Sequence, residues 1–257
     1  MNEFFKMLIL AIVQGMTEWL PISSSGHLVL FEKILGFKSN LDFDVALHFG
    51  TLLAVILYFS KDIVEILGDL FNGNIKRNDG RLGMLILVST IPAAFVGFFF
   101  KDFFERIFDN SWMLALGFGI TGLFLIIASL DLKNIKRRFG YKESFFVGLA
   151  QAIAIIPSVS RSGATIASCL LFGLDEKEAI KFSFLMSIPV IFGASLLSLR
   201  SGNLPPDTYW AIIVSFLVGL LTIHLLFKYV LTNRRNLMWF GIYALLLALA
   251  IMLWIVF

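Results

Sequence analysis

Polar side chains of the kind that carry out chemistry are concentrated near the start of this 257-residue chain. Within fourteen residues of otherwise apolar sequence stand Gln14, Thr17, Glu18, Ser23, Ser24, Ser25 and His27. An ionisable residue in an apolar segment is costly unless a partner or water satisfies it, so Glu18 predicts a functional site. Its expected partner is Arg161, although a purely structural buried ion pair would explain the same two residues.

Ser24 and His27 are the candidate nucleophile and base. They stand three residues apart and therefore neighbour each other if the chain is helical after Pro21. The imidazole would take the hydroxyl proton and later return it to a leaving group. Gln14 and Glu18 stand four residues apart, so they share the helix face that points at the following break. The alternative for any single serine is structural, because serines in membrane helices usually bond back to carbonyls or join helices.

Two short serine-rich runs, 23–26 and 160–163, predict anion-binding sites. Successive backbone N–H groups at a helix start form a concavity for anions, and Arg161 adds a guanidinium fork that fits phosphate oxygens. Two facing sites of this kind suit a diphosphate, although a carboxylate-bearing or halide substrate would also fit. The predicted catalytic set is Ser24, His27, Glu18 and Arg161, and the predicted substrate-binding set is Gln14, Ser23, Ser25, Gly26, Ser160, Ser162, Gly163 and Thr165.

The composition places these residues in a membrane protein. Hydrophobic residues make up 58% of the chain and charged residues only 15%, against about 25% charged in an ordinary soluble domain. That balance excludes a disordered chain and argues against a soluble enzyme. Positively charged loops explain the small excess of Lys and Arg, so we expect no binding of nucleic acid.

Apolar segments long enough to cross a bilayer lie at about 44–60, 82–100, 112–130, 180–199, 209–230 and 237–257.

Two further apolar segments, 4–31 and 144–172, are interrupted by residues 21–26 and 157–163. Backbone freed at membrane depth survives only where it is buried in protein or lines a wet cavity. Each broken segment is therefore predicted to be a re-entrant helical hairpin. The two segments align with each other without a gap at an offset of 137 residues, which indicates an internal repeat.

Each half of the chain then consists of one hairpin and three crossings. Because three is odd, the second half starts from the opposite side, which predicts an all-α, inverted-topology repeat of 1–131 and 142–257 within one domain, 1–257. One set of loops carries 14 Lys and Arg residues against 6 on the other face, so it is predicted to be cytoplasmic. The two hairpins would enter from opposite sides and meet at their tips. The predicted cytoplasmic loops are 61–81, 131–143, 173–181 and 228–236.

Residues 14–27 and 157–165 resemble the two signature motifs of the undecaprenyl-diphosphate phosphatase family, bacterial integral membrane enzymes also called bacitracin-resistance proteins. The similarity extends over the whole chain and includes residues 182–189. It implies hydrolysis of a polyprenyl diphosphate lipid, undecaprenyl diphosphate, to the monophosphate that carries cell-wall precursors, at a site facing the outer side of the plasma membrane. It also implies dependence on a divalent cation such as Mg²⁺ or Ca²⁺, and functional roles for Gln14, Glu18, Ser24, His27 and Arg161.

Two positions depart from the family pattern. Gln14 stands where some members have a second glutamate, which leaves Glu18 as the one motif carboxylate for a metal. A cation would then depend largely on substrate phosphates for its ligands. Ser158 stands where the family usually has glycine, and a positive φ angle there would strain the serine.

The competing interpretation is an inverted-repeat secondary transporter or a polyprenyl-phosphate flippase, because broken helices that meet at the membrane midplane are common in transporters. A pure transporter does not require the Ser24 and His27 pair. A structural scaffold fits poorly with so many buried polar groups.

We leave His48 and His224 out of the catalytic set as an interior and an interfacial histidine. Membrane lipid is an expected partner, and the sequence leaves open whether the protein forms a homo-oligomer.

Overall fold

A computed structural model describes residues 2–37, 39–107, 110–130, 139–198, 208–230 and 232–257. Within these ranges the chain is helical and contains no β-strand, which confirms the all-α prediction at this level. A π-helical turn follows α11, and a short 3₁₀ turn precedes α12. The helices are α1 Glu3–Thr17, α2 Ser24–Leu35, α3 Leu41–Tyr58, α4 Ser60–Phe71, α5 Asn78–Phe99, α6 Lys101–Ile107, α7 Ser111–Ser129, α8 Tyr141–Ile153, α9 Arg161–Leu171, α10 Glu176–Ser198, α11 Thr208–Leu225 and α12 Leu237–Val256.

Five of the described helices are long and apolar enough to cross a membrane, namely α5, α7, α10, α11 and α12. They coincide with five of the six predicted spans. The first predicted span corresponds to α3, which is followed by α4 after a bend of 78°, and this pair makes a sixth candidate if it is counted as one span. These helices make the protein a multi-pass membrane protein. Lys38, Arg200 and residues 131–138, which enter the loop charge count, lie outside the described residues.

The segment 61–81 is largely helical, although we predicted it as a loop. Its helix α4 is amphipathic: Ile63, Ile66 and Leu70 recur at helical spacing and pack against the main hydrophobic core. The charged side chains between them, such as those of Lys61 and Glu65, hide this pattern from a search for long uncharged runs.

Both broken segments restart as helices in the same way. Helix α2 begins after Ser23, whose Oγ accepts a hydrogen bond from the Gly26 N–H at 3.2 Å. Helix α9 begins after Ser160, whose Oγ accepts from the Gly163 N–H at 3.0 Å. A serine at the N-cap satisfies one of the donors that a helix start leaves free. The two caps lie 137 residues apart, at the offset that the sequence alignment predicts.

The long helices pack across the two halves of the chain. Helix α1 packs against α11, while α8 packs against α5, so each broken segment lies on a helix of the other half. Helices α7 and α12 pack against each other at a crossing of Gly122 and Gly241, where an added Cβ on either residue would lie within 3.0 Å of the other's carbonyl oxygen.

Ser158 adopts a φ angle of 65°, so the strain predicted for a serine at this position is present. Its backbone lies against α7 at Gly117, where an added Cβ would come within 2.1 Å of the Pro157 carbonyl oxygen. The left-handed conformation destabilises a non-glycine residue by about 1–2 kcal/mol. Glycine avoids this strain, but its more flexible unfolded chain offsets part of the gain in stability.

Ser158→Gly is expected to raise the free energy of unfolding by about 1 kcal/mol, because glycine adopts this φ angle without strain. The measurement is the thermal unfolding midpoint of the purified protein in detergent. Ser168→Gly, in the middle of α9, is the matched control and should lower the midpoint, because glycine destabilises a helix interior. An equal loss of stability in both variants would contradict this explanation.

Candidate active site

The carboxylate of Glu18 is the centre of a buried polar cluster where the two broken segments meet. Its Oε1 accepts a hydrogen bond from Arg161 Nη2 at 2.5 Å. Its Oε2 accepts from Ser24 Oγ at 2.6 Å and from Gln14 Nε2 at 3.0 Å. Glu18 itself is 6% exposed. The expected pairing of Glu18 with Arg161 is therefore present, and it joins the first break to the start of α9.

His48, which we left out of the catalytic set, belongs to this cluster. Its Nδ1 lies 2.8 Å from Gln14 Nε2 and 3.3 Å from Glu18 Oε2. It stands on α3, and its side chain is 29% exposed. A histidine inside an apolar span is the same kind of signal as the carboxylate of Glu18, so the sequence contains evidence for His48 as well.

A cavity of about 230 Å³ opens beside Glu18. One wall is polar and contains seven of the twelve predicted site residues together with His48. The other wall is apolar and comes from α3, from the end of α8 and the second break, and mainly from α10. The polar wall consists of Glu18, Ser23, Ser24, Ser25, His48, Ser160, Arg161 and Ser162, and the apolar wall includes Val45, Ala154, Val159, Val190, Ile191 and Ala194.

The remaining predicted residues lie behind the polar wall. Gln14 contacts Glu18, and the backbones of Gly26 and Gly163 donate to the capping serines. The Thr165 hydroxyl bonds to the Arg161 carbonyl at 2.8 Å and lies 2.6 Å from the Ser183 hydroxyl. These residues support the groups that face the cavity and do not themselves line it.

The predicted hydrogen-bonded pair of Ser24 and His27 is not what the structure shows. His27 Nδ1 lies 2.7 Å from the Ser23 carbonyl oxygen, and Nε2 lies 2.7 Å from the Tyr243 hydroxyl. Ser24 Oγ instead donates to Glu18 Oε2 at 2.6 Å. The spacing of three residues places the two side chains on one helix, but Ser24 bonds to Glu18 at the end of α1, and His27 contacts Tyr243 on α12. Tyr243, on α12, was not found from the sequence.

The two serine runs both line the cavity and have matching geometry. Ser23 Oγ lies 3.4 Å from Ser25 Oγ, and Ser160 Oγ lies 3.3 Å from Ser162 Oγ. Arg161 Nη1 is buried and has no hydrogen-bond partner among the described residues. A buried donor without a partner is costly, and an anion in the cavity would satisfy it.

Comparison with known proteins decides the family. Residues 7–250 match the family model described as bacitracin resistance protein BacA. The chain belongs to the BacA family. An undecaprenyl-diphosphatase of Methanococcus vannielii is 39% identical over 252 residues, which cover 96% of this chain and 99% of the relative. An undecaprenyl-diphosphatase of Carboxydothermus hydrogenoformans is 43% identical over 98% of this chain and 97% of its own length.

In the part of this BacA family chain that the structure describes, the side chains do not form a cage for a divalent cation. Among the described residues, no group of three or more His, Cys, Asp and Glu side chains could hold a metal ion. Both oxygens of Glu18 already accept hydrogen bonds, and one of them faces a guanidinium. Mg²⁺ and Ca²⁺ prefer several oxygen ligands, so the side chains present do not fit either ion as a resident cofactor.

Proposed function

We propose that the protein is a membrane phosphatase that hydrolyses undecaprenyl diphosphate to undecaprenyl phosphate and inorganic phosphate. The observation that supports this most is the hydrogen bond from Ser24 Oγ to Glu18, in a cavity that also contains Arg161. This arrangement supplies a nucleophile, a proton acceptor and a cation in one place. Membership of the BacA family and relatives that carry the name undecaprenyl-diphosphatase support the same substrate. The reaction recycles the lipid carrier for cell-wall synthesis, which fits a role in bacitracin resistance.

In the proposed complex the diphosphate lies between the two serine runs. The terminal phosphate contacts Arg161 Nη1 and the hydroxyls of residues 23–25, while Ser160 and Ser162 contact the inner phosphate. The apolar wall from α10 then takes the first part of the isoprenoid tail. The charge that develops on the transferred phosphoryl group is stabilised by the guanidinium and the hydroxyl dipoles, which are the largest contributions in phosphoryl transfer.

Ser24 Oγ attacks the terminal phosphorus, and the bond from that phosphorus to the bridging oxygen breaks. Undecaprenyl phosphate leaves, and the Ser24 proton passes to Glu18. Water then attacks the phosphoserine, Glu18 returns its proton to Ser24 Oγ, and inorganic phosphate leaves with the two protons of the water. Glu18 replaces His27 as the proton acceptor in this account, because Ser24 donates to it in the structure. No step is assigned to a metal ion.

We also propose the membrane topology. The chain forms two re-entrant hairpins and six membrane crossings in one domain, and these are arranged as an inverted repeat with the site facing outward. The equivalent N-caps 137 residues apart and the reciprocal packing of α1 on α11 and α8 on α5 support the repeat. Three contacts join all four predicted cytoplasmic loops, which supports a shared face. They are the ion pair of Lys181 with Asp62, the bond from Arg81 to the Phe139 carbonyl, and the bond from the Arg234 N–H to Glu176.

Release of inorganic phosphate from undecaprenyl diphosphate by the purified protein in detergent tests the proposed function. No gradient exists in detergent, so steady phosphate release supports an enzyme. Absence of release, together with movement of a labelled lipid across liposomes that contain the protein, would favour a transporter or flippase. Assays with and without a chelator, and with prenyl diphosphates of several chain lengths, would define the need for a cation such as Mg²⁺ or Ca²⁺ and the tail preference.

A further inference from the structure

His27 is held by two groups that the proposed reaction does not use. Its Nδ1 lies 2.7 Å from the Ser23 carbonyl oxygen, and a carbonyl oxygen can only accept, so Nδ1 carries the proton. In the neutral ring Nε2 is then the acceptor, and the Tyr243 hydroxyl donates to it at 2.7 Å. His27 is 4% exposed, and its ring packs edge-on against Phe118 with centroids 5.3 Å apart. Both ring nitrogens of His27 therefore have partners other than Ser24 and Glu18.

The carbonyl that His27 holds belongs to a strained residue. Ser23 has φ 71° and ψ 100°, a conformation that a residue with a side chain rarely adopts. Such a residue persists only where the surrounding structure over-determines it. Two donors of His27, the ring Nδ1–H and the backbone N–H at 3.3 Å, fix the Ser23 carbonyl from the following helical turn.

The next residue in the chain is Ser24, whose hydroxyl points at Glu18 from the first position of α2. The direction of its Cα–Cβ bond follows from the turn at Ser23. If Ser23 relaxed to an ordinary backbone conformation, Ser24 Oγ would lose its 2.6 Å bond to Glu18. The orientation of Ser24 therefore depends on the groups that hold Ser23.

We propose that Tyr243 is a positioning residue for the site: through His27 it holds the strained turn at Ser23 and thereby aims the Ser24 hydroxyl at Glu18. Tyr243 lies on α12, in the opposite half of the chain, so the catalytic turn of the first hairpin is fixed by a helix of the second half. This inference rests on the proposed function for its effect on turnover. The tautomer of His27 does not depend on that function.

The first test of the proposal is the steady-state rate of phosphate release by the Tyr243→Phe variant. Loss of this one part-buried hydrogen bond should lower kcat about 5- to 10-fold, with KM within about twofold of the wild-type value. The matched control is Tyr209→Phe, because the Tyr209 side chain is on α11 and 66% exposed, and this variant should keep its full activity. An unchanged kcat in Tyr243→Phe would overturn the proposal.

A pair of His27 variants separates positioning from proton transfer. His27→Asn keeps an N–H donor for the Ser23 carbonyl and should retain activity within about tenfold of wild type, whereas His27→Ala should lose about 100-fold. A general base would lose about 10²–10⁴-fold in either variant, because neither asparagine nor alanine accepts the proton. Equal inactivation of the two variants would therefore overturn the positioning role.

Nitrogen-15 NMR of protein labelled at histidine provides a measurement that does not depend on activity. The chain has only three histidines, so the His27 signal can be assigned from its loss in His27→Asn. We expect the neutral Nδ1–H tautomer in the wild type and a shift of the Nε2 signal in Tyr243→Phe. An Nε2–H tautomer would overturn the proposal. A wild-type protein that releases no phosphate but shows the Nδ1–H tautomer would instead disprove the proposed function alone.

Discussion

Ser24→Ala is expected to lower kcat for phosphate release by at least about 10³-fold, since loss of a nucleophile removes the covalent route while substrate binding remains. The Ser24 hydroxyl is 2.6 Å from Glu18 and lines the cavity, so alanine removes both the attacking atom and its contact with the proton acceptor. KM should change little, because Arg161 and the remaining serines still bind the phosphates. The measurement is steady-state phosphate release by the purified variant.

Ser168→Ala is the matched control for this variant. The Ser168 hydroxyl lies in the second broken segment and bonds back to the Ala164 carbonyl at 2.8 Å, as a structural serine does. Its replacement should leave both kcat and KM close to the wild-type values. Retention of more than about a tenth of the activity by Ser24→Ala would mean that another group, or activated water, makes the attack.

Arg161→Lys is expected to lower kcat/KM about 10²- to 10³-fold although it preserves the positive charge. The guanidinium bonds to Glu18 at 2.5 Å, lies 5.6 Å from the ring centroid of Trp19, and keeps Nη1 free for an anion. An ammonium group is a compact point charge and cannot make the forked contact or the same stacking. The variant should therefore bind the diphosphate less tightly and stabilise its transition state poorly.

Lysine is preferable to alanine at this position because alanine would leave Glu18 buried without its cation, which costs about 3–5 kcal/mol of stability. The thermal unfolding midpoint of Arg161→Lys shows whether the fold is retained. Arg77→Lys is the control, since the Arg77 side chain is 73% exposed and pairs only loosely with Asp69 at 3.9 Å. Arg161→Lys with wild-type kcat/KM would show that charge alone, without the fork, is sufficient.

The sequence predicts the parts of this site that follow from the burial of charge and from chain breaks. A deep carboxylate requires a partner, and Arg161 is the basic residue at the equivalent depth, so the pair of Glu18 with Arg161 could be found without coordinates. The two breaks and their serine caps follow from proline and from N-cap chemistry. The strain at Ser158 follows from the replacement of a usual glycine.

The partners of His27 and His48 could not be found in this way. His27 meets Tyr243, 216 positions away, and His48 meets Gln14, 34 positions away. Helical periodicity shows which residues share a face of one helix, but the choice between partners depends on how separate helices pack. For this reason the spacing predicted a hydrogen-bonded pair of Ser24 and His27, whereas in the structure Ser24 bonds to Glu18 and His27 contacts Tyr243. The need for a divalent cation stays a prediction, because it depends on molecules other than the chain itself.

The stereochemistry of the reaction at the terminal phosphorus tests the central claim that Ser24 receives the phosphoryl group before water does. The substrate is undecaprenyl diphosphate with a chiral, isotopically labelled terminal thiophosphate, hydrolysed by the wild-type protein in isotopically labelled water. Each in-line displacement inverts the phosphorus centre, so transfer to Ser24 followed by attack of water gives net retention. We predict retention of configuration in the released thiophosphate. Net inversion would contradict the account, because it requires a single direct attack by water.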